Sequence, residues 1–171
     1  MVEPLITALV GLVVAFVLGT LAEYVVHRLM HRGIVLHKVH AEHHQLGTGQ
    51  GWLLEFKDYV VPSLPPIAVL SGLCWWFDQP AAAVGVALGG VLYAAFAAFA
   101  HQVQHERPEL VFWMPKPVHH LHHAHKMWHH NFGIAFDVWD RVFGTYRPVE
   151  WSPPPHEGRR RAREFFRIKW I

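Results

Sequence analysis

Residues 5–22 read "LITALVGLVVAFVLGTLA", an apolar run without a single charge. At ~1.5 Å per residue, about 20 such residues in an α-helix cross a hydrocarbon core of roughly 30 Å. The run exceeds the ~7–15-residue core of a cleaved signal peptide. The "MVEP" before it brings an acid and no basic residue. A retained membrane crossing over residues 5–24 is therefore expected.

A second apolar stretch, 59–100, is broken at "FDQP" (77–80). It predicts a helical hairpin with arms near 61–77 and 81–100, and Asp78 and Pro80 in the turn. "VPSLPP" (61–66) predicts a short, kinked or partly inserted first arm, since proline removes a backbone donor. "VALGGVLYAAFAAFA" (86–100) is rich in small side chains, which let helices approach closely.

Charge placement sets the topology. All 15 Lys and Arg residues lie within 28–57 or 107–171, and none in the "FDQP" turn. Three crossings then put the N-terminus and that turn on one side and every basic residue on the other. The positive-inside rule assigns the basic side to the cytoplasm. All 16 histidines fall on that side too. At 52% hydrophobic and 16% charged, the chain is apolar for its 171 residues, and a net charge of +2 selects no partner. The single cysteine, Cys74, excludes an internal disulfide, a Cys-ligated zinc site and an iron–sulfur cluster; its apolar setting predicts lipid or core contact. The expected fold is an all-α integral membrane helical bundle of about three crossings, one helix plus a hairpin. A cytoplasmic histidine-rich helical cap would come from 25–58 and 101–150, followed by a basic tail, 151–171, all within one domain spanning 1–171.

Four histidine groups stand in that cap. His27 and His31 in "HRLMH" form an HxxxH, and His40, His43 and His44 in "HKVHAEHH" (37–44) an HxxHH. His101 and His105 in "HQVQH" end the third crossing, and His119, His122 and His123 in "HHLHHAH" (119–125) make a second HxxHH. Residues three and four apart share a helix face. A lone histidine on a helix is usually solvent-facing or hydrogen-bonded, but four groups in ligand register on one side of a membrane do not fit that account. Nitrogen-only ligation suits iron, zinc, copper or nickel. Ten imidazoles exceed what one ion can bind, so two ions are implied. "HERPE" (105–109) lacks the second His of a zincin motif, and the Glu/ExxH pattern of soluble di-iron bundles is absent. An all-histidine dinuclear centre beside a lipid-embedded bundle points to oxygen chemistry on a membrane substrate.

With these boxes in order, and "NFG" (131–133) and "WDRVFGTY" (139–146) after the last, the sequence resembles the fatty acid hydroxylase superfamily from about Glu23 to Tyr146. These membrane di-iron enzymes include sterol desaturases, C4-methyl sterol oxidases, sphingolipid hydroxylases and carotene hydroxylases. The resemblance implies that His27, His31, His40, His43, His44, His119, His122 and His123 ligate two iron ions. His101 and His105 match a less regular middle group, and zinc can substitute in purified protein. It further implies hydroxylation or desaturation of a lipid C–H bond by O2. The "WDRVFGT" tail favours an acyl or sterol substrate over a carotenoid. No GxGxxG, flavin motif, cysteine cluster or haem module is visible, so electrons must come from a separate ferredoxin or cytochrome b5-like donor. A basic face suits an acidic carrier. The competing class is a non-enzymatic membrane metal binder or transporter, which expects ligands near the bilayer midplane.

Several residues are candidates for supporting the ligands. Glu23, four residues before His27, either accepts an imidazole N–H and orients that ring or reaches interfacial water. His37, His120 and His125 are supernumerary to the HxxHH registers, and His129 and His130 are uncertain in the same way. Asn131 either holds a metal-bound water or makes a turn. Asp137 and Asp140 lie at i and i+3 near the site, and Asp140 with Arg141 either locks over it or serves folding alone. His156 is expected in a solvated loop. Trp52, Trp75, Trp76 and Trp113 fit an aromatic belt, Trp113 alternatively lining a lipid channel. "GRRRAREFFRIKW" (158–170) suits anionic headgroups rather than nucleic acid.

Overall fold

A computed structural model describes residues 2–153 and 162–171. His156 and the "GRRR" of the basic tail lie outside the described residues. The described chain is all-helical, with no strand among those residues. Six α-helices follow in order: α1 (Val2–His31), α2 (His37–Leu46), α3 (Trp52–Trp76), α4 (Pro80–Glu106), α5 (Val118–Ala124) and α6 (Val138–Val142). Short 3-10 turns cover Pro108–Leu110 and Ala162–Phe166.

Helices α1, α3 and α4 are each long and apolar enough to cross a membrane. All three run past the expected crossings. The 30 residues of α1 make a rod of about 45 Å, longer than the roughly 30 Å of hydrocarbon, so its last turns project with His27 and His31 on them. Helix α4 likewise carries His101 and His105 on its final turns. The largest departure is α3. It begins at Trp52 rather than near 61 and continues unbroken through Pro62, Pro65 and Pro66. Each proline removes one donor from the ladder, a loss tolerated in membrane helices where side chains re-satisfy the freed backbone. Between the first two prolines Ser63 Oγ adds a further hydrogen bond, to the Tyr59 carbonyl at 2.7 Å.

Helix α4 is the centre of the bundle, with α1 and α3 packed on it and scarcely on each other. The small residues at 85–89 account for this. A Cβ at Gly85 or Gly89 would run into the α1 carbonyl of Ala8 or Leu12. The contact order, Ala8 by Gly85 and Leu12 by Gly89, runs α1 parallel to α4 and so brings both histidine-bearing ends to one face. Gly89→Leu is expected to prise α1 off α4, costing at least the ~3 kcal/mol upper end of ordinary overpacking because backbone cannot repack. Thermal unfolding in detergent reads this directly; an unchanged midpoint would disprove the close approach.

The aromatic belt is partial. Trp75 and Trp76 are exposed at the hairpin turn, as expected. Trp113 instead packs inside against Phe96 and Phe99 and donates to the Ala135 carbonyl at 2.9 Å. Trp52 stacks on Phe56 and packs against Trp170.

Candidate metal centre

Helices supply the ten grouped histidines: α1 gives His27 and His31, α2 gives His40, His43 and His44, α4 gives His101 and His105, and α5 gives His119, His122 and His123. The structure brings these ten together, α2 and α5 meeting through His44 Nε2 and His122 Nε2 at 3.1 Å. Their nitrogens sort into two groups able to hold a metal ion: His27, His31, His40, His44 and His122; and His43, His101, His105 and His119. Each HxxHH is thus divided. Helix α2 sends His40 and His44 to the first group and His43 to the second, while α5 sends His122 to the first and His119 to the second.

The first group is a square pyramid. From its apex, His31 Nε2 lies 3.2 Å from His27, 2.8 Å from His40, 3.3 Å from His44 and 2.9 Å from His122. The base edges His27–His40, His40–His44 and His44–His122 are 3.1 Å each. An octahedron of nitrogens about 2.1 Å from a metal has edges of about 3.0 Å, so five of its corners are supplied. In the second group His43 Nε2 lies 3.2 Å from both His101 and His105, and His119 Nε2 lies 3.2 Å from His105. His123 lies beside this group. Its ring centroid stands 4.7, 4.6 and 4.6 Å from those of His43, His105 and His119, and both its nitrogens are buried without a hydrogen-bond partner. His105 Nε2 thus makes in the second group two contacts of the kind that His31 Nε2 makes four times in the first. In sequence register His27, His31, His40, His44 and His122 match His101, His105, His119, His123 and His43, and the His44 and His123 rings stack at 4.0 Å.

The donor chemistry fits a cation. Three Nε2 atoms in mutual contact, such as those of His27, His31 and His40, cannot all be joined by hydrogen bonds. Each carries either a proton or a lone pair, so at least one edge sets like against like. The other ring nitrogens fix which: His27 Nδ1 donates to the Phe132 carbonyl at 2.6 Å and His122 Nδ1 to the His130 carbonyl at 2.7 Å. Their Nε2 lone pairs therefore point inward, where a cation at the centre of the group would relieve the repulsion. Burial, and after it neighbouring imidazoles, holds the rings neutral. His40 is pushed down to about 3 and His44 to about 4. His43 is pushed down to about 2, and His119 and His123 lie well below the ordinary range. His122 falls to about 3, mainly through burial.

The supporting candidates divide differently. Glu23 is buried but touches no imidazole: it accepts the N–H groups of Ile134 and Ala135 at 2.9 and 3.0 Å and the Tyr93 hydroxyl at 2.7 Å. Asp140 accepts from Phe132 N, Gly133 N and Thr145 Oγ1 at 2.8, 2.7 and 2.7 Å. The two acids clamp the 132–135 backbone from opposite ends, and that backbone offers the Phe132 carbonyl to His27. Both therefore act on the ligand through the main chain, one bond further out than a direct carboxylate–imidazole contact. Asn131 has a φ of 59° and exchanges hydrogen bonds with the Arg147 backbone at 3.0 and 2.7 Å, which makes it a turn residue. Asp137 pairs with Arg141 at 2.7 Å, away from the histidines. His37 is exposed and donates to the Met30 carbonyl; His120 lies against Trp151; His125 is exposed. None of these joins either group.

Three contributors escaped the sequence reading. Glu55, 3% exposed on α3, sets a carboxylate oxygen 2.9 Å from His101 Nδ1. Gln104 accepts from His119 N at 2.9 Å and donates to the Ile134 carbonyl at 2.7 Å. Trp128 donates to the His31 carbonyl at 3.1 Å and packs its ring 4.4 Å from that of His31. The isolated acid in "GWLLEF" was the available signal for Glu55; the other two have none in the sequence.

The fatty acid hydroxylase family matches residues 12–145. A dihydroceramide fatty acyl 2-hydroxylase of Arabidopsis thaliana is 28% identical over 151 residues, 80% of this chain and 61% of that protein, so the chain spans less than two thirds of the relative's length. No solved structure matches the chain. The matched span takes in all ten clustered histidines, both acids of the 132–135 clamp and the greater part of the three long helices: the chain belongs to the fatty acid hydroxylase family.

Proposed function

We propose that the chain is a membrane-bound non-haem di-iron oxygenase that hydroxylates a C–H bond of a lipid acyl chain, with O2 and electrons from a separate ferredoxin or cytochrome b5-like carrier. The supporting observation is the two imidazole groups at one end of a bundle of three apolar helices. His27, His31, His40, His44 and His122 would hold one iron, and His43, His101, His105, His119 and His123 the other. Bound there, the ions would supply the redox chemistry that activates O2 against an unactivated C–H bond.

The chain's own task is to hold and to shield. Carbonyls of Phe132 and His130 keep two rings in the tautomer that presents Nε2. The rings of Phe132 and Trp128, 5.4 and 4.4 Å from that of His31, cover the first group against water. By the positive-inside rule this face lies in the cytoplasm, where a soluble carrier reaches it. Ligands at helix ends, rather than midway along the crossings, favour an enzyme over a transporter.

A cavity of about 340 Å³ between α1, α3 and α4, lined by Leu18, Leu73, Cys74 and Val86 among others, is almost wholly apolar. Leu18 is nine residues, or about 14 Å of helix, before His27. A long acyl chain with its reacting carbon at the histidines would lay its tail there. Cys74→Trp should then shift products toward shorter chains with metal content unchanged, as read by lipid mass spectrometry. An unaltered chain-length distribution would remove the cavity from the substrate path.

The central test is metal quantification with lipid profiling of cells expressing the protein or its His43→Ala variant. Two irons per chain and a lipid gaining one oxygen only with the intact protein are expected. Fewer metal sites, or no such lipid, would sink the proposal. Zinc in overexpressed protein would not, since nitrogen sites accept it readily.

A further inference from the structure

The two histidine groups differ in the charge set against them. Both ring partners fixed in the first group are neutral carbonyls, of Phe132 and His130. Among the described residues, His101 in the second group is the one clustered imidazole set against a carboxylate, Glu55 Oε2 at 2.9 Å. Glu55 is buried, and its other oxygen accepts from Gln50 N at 3.0 Å.

A closed circuit of hydrogen bonds fixes the helix turn that carries Glu55. Gly51 N donates to Gln102 Oε1 at 2.9 Å, and Gln102 Nε2 donates to Glu106 Oε1 at 2.7 Å. Glu106 Oε2 accepts from Lys169 N at 2.9 Å. The carbonyls of Lys169 and Trp170 then accept the first N–H groups of α3, Trp52 at 2.9 Å and Leu53 at 3.0 Å. Ile168 anchors this strap among Val103, Leu110, Val111 and Met114. The 168–170 segment, expected from its composition to lie on headgroups, is instead the cap of α3.

We infer that Glu55, held by the 168–170 strap, is a positioning residue that governs the second metal site alone. The inference rests on the two-ion centre proposed above. A carboxylate 2.9 Å from the far nitrogen favours the proton on Nδ1, leaving the Nε2 lone pair to face inward, and adds negative charge beside the second ion. Loss of such a partner commonly weakens metal binding about 10–100-fold.

The experiment titrates iron into the metal-free full-length protein, and into Glu55→Gln, with a competing chelator. Expected is one site unchanged and one about 10–100-fold weaker in the variant. At saturating iron, the midpoint potential of the weaker site should also shift positive, because a neutral amide replaces the anion. The unchanged site reports that the variant is folded. Two unchanged sites, or two equally weakened, would overturn the inference. So would weakened affinity without a shift in potential, since packing alone would then explain it. Fewer than two sites in the unaltered protein would instead overturn the two-ion centre itself.

Discussion

His31→Ala is expected to abolish lipid hydroxylation and to release one of the two ions. His31 Nε2 is the one nitrogen within 3.3 Å of all four others in its group, so its removal opens every triangular face of the pyramid at once. Partners one step further out already cost about 10–100-fold in affinity or activity, so loss of the apex itself should exceed about a hundredfold. In the second group His105 Nε2 lies 3.2 Å from both His43 and His119, so His105→Ala should have the same effect on the other ion. Iron content and product yield, measured for both variants, decide it. If either retains two ions and more than a tenth of the activity, the apex assignment is wrong. His37→Ala supplies the contrast, since His37 lies outside both groups, and should change neither quantity.

The fold was legible where a single physical constraint dominates. Uncharged runs long enough to span, and basic residues confined to one side of them, specify three crossings without any knowledge of packing. The helix ends were less so. Apolarity marks where the bilayer stops, while the backbone ladder continues into polar sequence, as α1 does through Arg28 to His31 and α3 does back to Trp52. The prolines of "VPSLPP" argued for a break that local propensity favours but an apolar setting does not permit, because an open backbone there finds no water.

In the site, register singled out ten imidazoles, nine of which the structure gathers into two groups, and could not partition them. The order HxxxH, HxxHH, HxxxH, HxxHH is itself a twofold repeat, and the two halves exchange a histidine: His43 crosses to the second group and His122 to the first. No spacing rule announces that exchange, since it depends on α2 and α5 facing each other. Glu23 and Asp140 were singled out as acids near ligands, which they are in sequence. In space they reach the metal region through the backbone of 132–135, a contact no side-chain motif encodes. Glu55 went unnoticed because it precedes its partner His101 by 46 residues and joins it only when α3 folds back on α4.

Acid should dismantle the centre well before it protonates the clustered histidines in the folded state. In an unfolded chain a histidine binds its proton near pH 6.5. In the folded chain His44 waits until about 4, His40 and His122 until about 3, and His43 until about 2, because burial and neighbouring imidazoles oppose charge. Between these limits the unfolded state holds more protons than the native one, so stability falls as pH falls from about 6.5 toward 4. For a ring as buried as His122 the slope approaches about 1.4 kcal/mol per pH unit. Bound metal adds to the same sign, since protons compete for the Nε2 lone pairs and ions leave as pH drops. Thermal unfolding of metal-free protein in detergent should therefore move to lower temperature at each step from pH 7 to pH 5, with metal-loaded protein displaced upward throughout. A midpoint independent of pH over that interval would mean the imidazoles are solvated rather than packed, and the two histidine groups would not exist in solution.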